Sequence, residues 1–364
     1  MRVLYVDLER EWRGGQSQAL LTLRGLRERG HEVALLAARD APLATRSREA
    51  GIAVHQVPEL GLRAWAAAAI RRLLAHRNFD LVHLNEPHAL TAAWLAGSHR
   101  RVPTVFSRRV AYPLGRSLPA RKRYDVVKRM ISISEFVARS LRDSGIPPEK
   151  IEIVYEGVEV PPPASFEARQ HARQRWCVSE KEFLFGCVGY LLPEKGQELL
   201  VRALPSLLAN FPSARLLLAG DGPCRARLEA LAREHRLEDC VIFAGFIKEV
   251  SQVYAALDAF VFPSLAEPLG TSLLAAMAWG LPVVAVASGG VPEYVQGGVT
   301  GLVVARPDPN LFSAAMLQLS NAPELAQRLA AAARRAIEER FTADKMVENT
   351  VRVYKNVLPL KQTP

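Results

Sequence analysis

Short runs of Val, Ile and Leu alternate with helix-period segments along the chain, and no other feature constrains the fold as strongly. RVLYVD, HEVALLA, IAVHQV, LVHLN, PTVFS and MISIS have the length and β-branched content of strands. Between them, QSQALLTLRGLRERG, LRAWAAAAIRRLLAHR, PHALTAAWLAG and SEFVARSLRDSG repeat their apolar residues at helical spacing. Strands separated by helices pair in parallel, with helices on both faces of the sheet. The rhythm stops at VEVPPPASFEA, where Pro161, Pro162 and Pro163 continue neither strand nor helix and read as a linker. It restarts with strands FLFGCVG, ARLLLAG, VIFAG, AFVFPS, PVVAVA and GLVVA, separated by helices GQELLVRALPSLLANF, CRARLEALAREH, EVSQVYAALD and TSLLAAMAWG. From Pro307 onward the chain reads as helical, with a break near ERFTADK. The 364 residues are too many for one ordinary core and suit two. The expectation is α/β: two doubly wound, Rossmann-like domains, 1–160 and 161–342, with a cleft between them. Ligands of such sheets bind beyond the carboxyl ends of the strands, so the turns there are where chemistry belongs.

Charge and cysteine content narrow the setting. The net charge of +10 is lopsided, because residues 1–160 hold 26 Lys+Arg against 17 Asp+Glu while the remainder is nearly balanced. A basic half beside a neutral one fits an anionic partner, or simply solvated arginine-rich helix faces. The opening MRVLYVD reads as a strand, not as a secretory leader, and no apolar run reaches the about 18 residues of a membrane span. The four cysteines, Cys177, Cys187, Cys224 and Cys240, form no CxxC pair, and no His sits at zinc-site spacing. A reduced, cytoplasmic protein without a metal site is expected.

The turns carry the candidate residues. Gly14-Gly15, after the first strand, lets backbone approach a ligand, or is a plain tight turn. Lys195, between a strand end and the start of a helix, can neutralise a phosphate that helix N–H groups hold, or is a solvated turn lysine. AGDGP and AGFI, the latter including Gly245, Phe246 and Ile247, end two further strands, and AGFI could present backbone groups to a flat base. The densest stretch is PSLAEPLGTSLLAAMAWGLPVVAVASGGVPE, residues 263–293. Glu267 sits there in a loop able to accept sugar hydroxyls. Gly270, Thr271 and Ser272 open a helix, with Thr271 or Ser272 expected as its cap and free N–H groups suited to a diphosphate. Strand–helix–strand packing alone explains the apolar residues but not the carboxylate and hydroxyls.

Taken in order, GGQ, ISISEFVARSL, GIPPEKIEIVYEGVE, VGYLLPEKG, LLLAGDGP, FAGFI and PSLAEPLGTSLLAAMAWGLPVVA with GGVPE resemble the retaining glycosyltransferases of family four. The resemblance implies the GT-B architecture, with the C-terminal helix, 343–364, packing back on the first, acceptor-side domain and the second domain holding a nucleotide-sugar, UDP-linked by default. It implies Lys195 on the donor diphosphate and Gly14 and Gly15 closing over it. It implies Glu267 on the hydroxyls of the transferred sugar, the N–H groups of Leu269, Gly270 and Thr271 near the phosphates, and Gly245, Phe246 and Ile247 near the base.

Three positions depart from the family pattern. Tyr190 stands where an Arg is usual, and Ala275 replaces the second Glu of E-x7-E, the usual ribose partner. Ser107-Arg108-Arg109 replaces a strand-end His, and Arg108 and Arg109 become candidates for acceptor or donor phosphate. The resemblance implies transfer of a hexose-type sugar, with retention, without a metal or other cofactor, to a glycan or a lipid-linked, lipopolysaccharide-type acceptor. The alternatives are a degenerate donor-binding scaffold in a glycan assembly complex, or another GT-B enzyme such as a nucleotide-sugar epimerase. No nucleic-acid partner is expected. The basic segment 115–129, with Arg116, Arg121, Lys122, Arg123, Lys128 and Arg129, and Trp65, Ile70, Leu73 and Leu74 upstream, give the further expectation of docking on an anionic membrane, at the inner face of the cytoplasmic membrane.

Overall fold

The computed structural model describes residues 1–115 and 117–359; Arg116, from the basic segment, and the end of the expected C-terminal helix lie outside the described residues. The chain divides into two compact units, Met1–Gly157 with the segment that starts at Ala343, and Val158–Thr342.

In the first unit the strands are β1 (Arg2–Asp7), β2 (Glu32–Ala38), β3 (Ala53–Val57), β4 (Leu81–Leu84), β5 (Thr104–Arg108), β6 (Arg129–Ser132) and β7 (Ile151–Ile153). They form one parallel sheet in the order β3-β2-β1-β4-β5-β6-β7. Its helices are α1 (Gly14–Glu28), α2 (Pro42–Glu49), α3 (Leu62–His76), α4 (Pro87–Ala96), α5 (Leu118–Asp125) and α6 (Glu135–Asp143). Three of these elements, α2, α5 and β7, go beyond the alternation read above: two are short polar helices and one is a three-residue strand, too brief for periodicity to mark.

The second unit contains β8 (Phe183–Val188), β9 (Ala214–Ala219), β10 (Val241–Gly245), β11 (Ala259–Phe262), β12 (Val283–Val286) and β13 (Leu302–Val304), in the parallel order β10-β9-β8-β11-β12-β13. Its helices are α7 (Phe166–Gln174), α8 (Gln197–Asn210), α9 (Arg225–Glu234), α10 (Ser251–Ala256), α11 (Thr271–Ala278), α12 (Pro309–Asn321) and α13 (Pro323–Arg340). The tail therefore breaks at Ala322 as well as near Phe341, because Pro323 opens a new helix. Each sheet reverses its strand order once, between β1 and β4 and between β8 and β11, and ligands of such sheets bind at the carboxyl ends of those pairs.

The last helix, α14 (Ala343–Val357), belongs to the first unit. Its Met346, Val347, Thr350, Val351, Tyr354 and Val357 fall on one buried face, packed with Leu26, Val105 and Ile131. His83 of β4 fixes it further, sharing hydrogen bonds with Ser107 (2.8 Å) and the Tyr354 hydroxyl. Burial holds the His83 ring well below its usual pKa, so it is neutral.

The passage between units falls at Gly157–Val158, before the three prolines. Val158 N–H donates to Phe341 O (2.9 Å), and Arg334 donates to Pro161 O (2.8 Å), which ties the proline segment into the second unit. A proline run stops secondary structure without having to separate domains, since its carbonyls still accept hydrogen bonds. The apolar residues of α3 also sort differently from the membrane expectation. Ile70 and Leu73 are buried in the first core and Leu74 is packed against it, leaving Trp65, 56% exposed, as the one facing water. No helix of the described residues is long and apolar enough to cross a membrane.

Candidate active site

At the switch point of the second sheet, the chain leaving β8 makes a short 3-10 turn, Pro193–Lys195, before α8. The chain leaving β11 runs from Pro263 to α11. The two loops are stitched together by Leu265 N–H donating to Glu194 O (2.8 Å). That stitch brings Lys195 and Glu267 into contact: Lys195 Nζ donates to Glu267 Oε2 at 2.7 Å. Ser264 Oγ donates to the same oxygen at 2.8 Å. The lysine side chain is 30% exposed and the glutamate side chain 9%. Glu267 Oε1 takes no partner among the described residues, so it remains an acceptor for a ligand hydroxyl.

The second Gly-Gly turn holds this loop in place. Gly290 N–H donates to Glu267 O (2.9 Å), and Gly289, at φ +55°, lies so close that a Cβ would overlap the Glu267 carbonyl. Any side chain at 289 therefore displaces the backbone that carries Glu267. Tyr294 braces the next residues, its hydroxyl donating to Leu269 O at 2.6 Å. Burial, with Glu267 and Glu293 nearby, raises the Tyr294 pKa well above normal and keeps that donor protonated.

The expected cap of α11 is corrected here. The N-cap is Gly270, in the left-handed conformation, with no side-chain cap; Thr271 is already the first helical residue. A side chain at 270 would crowd Tyr294 and Phe262, which selects glycine over the usual serine or threonine. The N–H groups of Leu269, Gly270 and Thr271 take no acceptor among the described residues. A cation, an acid with one open oxygen and three free N–H groups thus share one corner, an arrangement suited to a diphosphate bearing a hydroxylated group.

The remaining second-unit candidates lie on or near the same carboxyl edge. Gly245 ends β10, with its carbonyl accepting from Gly220 N–H (2.8 Å). Phe246 follows, 68% exposed, then the partly buried Ile247. Tyr190, after β8, is 54% exposed, and Ala275 sits partly buried one turn into α11.

The first unit's candidates are spread differently. Gly14 and Gly15 are the first two residues of α1, not a separate turn, and a Cβ at Gly15 would touch the Arg109 side chain at 3.4 Å. Arg109 is engaged within the fold. It donates to Glu156 Oε1 (2.9 Å), to Asn85 O (3.2 Å) and to Asn85 Oδ1. Asn85 Oδ1 also accepts from Tyr5 (2.6 Å), and its amide donates to Asp7 at the end of β1. Burial raises the Asp7 pKa against the pull of the hydrogen bonds from Asn85, Glu9 and Gln16. Sequence reading missed this network, since Asn85 and Glu156 lie far along the chain from their partners and carry no motif. Arg108, buried at the end of β5, donates to Tyr112 O. Among the described residues no group of three or more His, Cys, Asp or Glu could hold a metal ion.

Comparison with known proteins bears on family and fold. The family model described as Glycosyl transferases group 1 matches residues 168–336, and that described as Glycosyltransferase Family 4 matches residues 12–160. The chain is 30% identical to a Mycolicibacterium smegmatis GDP-mannose-dependent alpha-(1-6)-phosphatidylinositol monomannoside mannosyltransferase, with 74% of each chain covered. It is also 30% identical to an uncharacterized glycosyltransferase of Methanocaldococcus jannaschii over 60% of this chain, and spans 58% of that protein's length. Among solved structures, Anabaena HepE in complex with UDP and glucose superposes with a TM-score of 0.87 at 22% identity, covering 98% of this chain and 99% of that one.

Proposed function

The chain belongs to the family 4-type glycosyltransferases of GT-B fold, and from that premise we propose that it moves a hexose-type sugar, with retention, from a nucleotide-sugar to a glycan or lipid-linked acceptor. The observation that carries the proposal is the corner formed by Lys195, Glu267 and the N–H groups of Leu269, Gly270 and Thr271. Lys195 and those N–H groups would neutralise charge as the diphosphate leaves. Glu267 Oε1 would orient the sugar through a hydroxyl. On the retaining route the leaving phosphate oxygen takes the acceptor's proton on the same sugar face, so the protein supplies charge stabilisation and alignment. The exposed Phe246 would offer the base a flat surface.

The donor carries UDP in this reading. A GDP-linked donor is the competitor, because the mycolicibacterial relative is named for GDP-mannose. A thermal-shift screen with UDP- and GDP-sugars, followed by turnover in EDTA, tests donor and metal-independence together. Stabilisation by a nucleotide-sugar with EDTA-insensitive turnover supports the proposal; no stabilisation by either nucleotide overturns it. A membrane-borne acceptor would be reached by exposed Trp65 and Leu60 together with Arg121 and Lys122, which face solvent on α5. Co-sedimentation with anionic but not zwitterionic vesicles, weakened by salt, checks that part.

A further inference from the structure

Two arginines are buried almost completely among the described residues, Arg108 and Arg173, at 6% and 4% exposure. Arg173 has the counter-charge such burial requires: it donates to Asp258 Oδ2 at 2.9 Å. The neighbouring Arg109 is likewise paired, with Glu156. Arg108 has no carboxylate within ion-pair distance among the described residues, and its guanidinium donates only to the Tyr112 carbonyl. Of the titratable groups that act on it, the Tyr124 hydroxyl favours its charge and Arg123 of α5, a like charge, opposes it; Arg123 donates to Thr91 Oγ1 (2.9 Å) and lies over the Tyr124 ring. A buried cation without a counter-ion is unfavourable, and a second guanidinium nearby makes it more so. The fold tolerates that arrangement where an anion from outside completes it.

We propose that Arg108, with Arg123 beside it, is the binding site for a phosphate group borne by the acceptor, and that Arg109 is not part of it. The inference rests on the transferase reading for the word acceptor, while the anion site itself follows from the unpaired charge. Phosphate fits better than carboxylate, since two guanidinium groups match a dianion and the fork of Arg108 can hold two of its oxygens. Tyr112, 70% exposed, would mark the solvent side of the site.

The test uses the full chain saturated with UDP, so that the diphosphate corner is filled, and titrates inorganic phosphate by calorimetry. Phosphate should bind the wild type, and Arg108→Gln should weaken it about tenfold or more, with Arg108→Lys intermediate. Arg123→Gln should weaken it about threefold, and Arg101→Gln, an exposed arginine of the same unit, should leave it unchanged. Phosphate affinity unchanged in the Arg108 and Arg123 variants, or absent from the wild type, overturns the site. Should Arg108→Gln not fold, Arg123→Gln decides. If UDP does not bind, GDP takes its place in the titration; failure of both nucleotides to bind would instead overturn the transferase reading, and the phosphate titration would then be read without nucleotide. Glycerol phosphate and phosphatidylglycerol vesicles form two further arms: competition by the first alone assigns a soluble acceptor, and by both a lipid headgroup.

Discussion

The two sheets share one topology, yet their switch points handle charge in opposite ways. Where β1 and β4 diverge, Asp7, Asn85, Tyr5, Arg109 and Glu156 bond one another, so that each charge is answered inside the fold. Where β8 and β11 diverge, the groups are fewer and left open: Lys195 has donors to spare, Glu267 keeps one free oxygen and three N–H groups await an acceptor. The same strand order thus builds a self-satisfied brace in one unit and an unsatisfied site in the other. Buried polar groups that are fully paired rigidify a fold, whereas partly paired ones at a strand edge are positioned for a ligand.

The largest effect expected from breaking this contrast is at Lys195. Lys195→Ala should lower kcat/KM by roughly two to three powers of ten, the loss usual for a charge-stabilising donor. Steady-state kinetics checks it, and near-normal turnover would make the second switch point as structural as the first. Next comes the brace. Glu156→Ala leaves the Arg109 guanidinium buried without its acid and should cost about 3 kcal/mol of stability in urea unfolding. Equal stability would show that the first network is not load-sharing. Glu267→Gln should follow, lowering transfer by about thirtyfold while nucleoside diphosphate affinity changes by less than about twofold; loss of nucleotide binding would reassign the residue.

The smallest effect is one of pH. Burial, with Asp7 beside it, pushes the Glu86 carboxyl up to about 7. Its folded pKa lies above its unfolded one, so the folded chain binds more protons between the two values. Its contribution therefore favours folding below about pH 4.5 and declines as pH rises to about 7. Asp7, raised by the same cause, acts in the same direction. His83, held neutral by burial, acts in the opposite sense as pH falls below its unfolded value. The readout is accordingly the difference between wild type and Glu86→Gln across pH 5 to 8, which should shrink the decline if Glu86 carries it.

The strand–helix rhythm made both sheets legible, because fully buried parallel strands are short, apolar and punctuated by turns. The corner at Lys195 and Glu267 was half legible. Each residue stood out in its own turn, but nothing local announced that Leu265 and Glu194 would stitch those turns together. The cap of α11 misled for a physical reason: Thr271 and Ser272 are good capping residues, yet the crowding by Tyr294 and Phe262 leaves room only for Gly270. Arg108 and Arg109 look alike in sequence. They differ because Glu156, which reaches only one of them, is distant along the chain.

The most direct test of the account is nucleotide affinity by calorimetry on the full chain, comparing wild type with Lys195→Ala and Glu156→Ala. The account predicts that UDP or GDP binds the wild type, that Lys195→Ala weakens it by about tenfold or more, and that Glu156→Ala leaves it within about twofold. Unchanged affinity in Lys195→Ala, with affinity lost in Glu156→Ala, would place the nucleotide at the first switch point and contradict the assignment of open and closed sites made above.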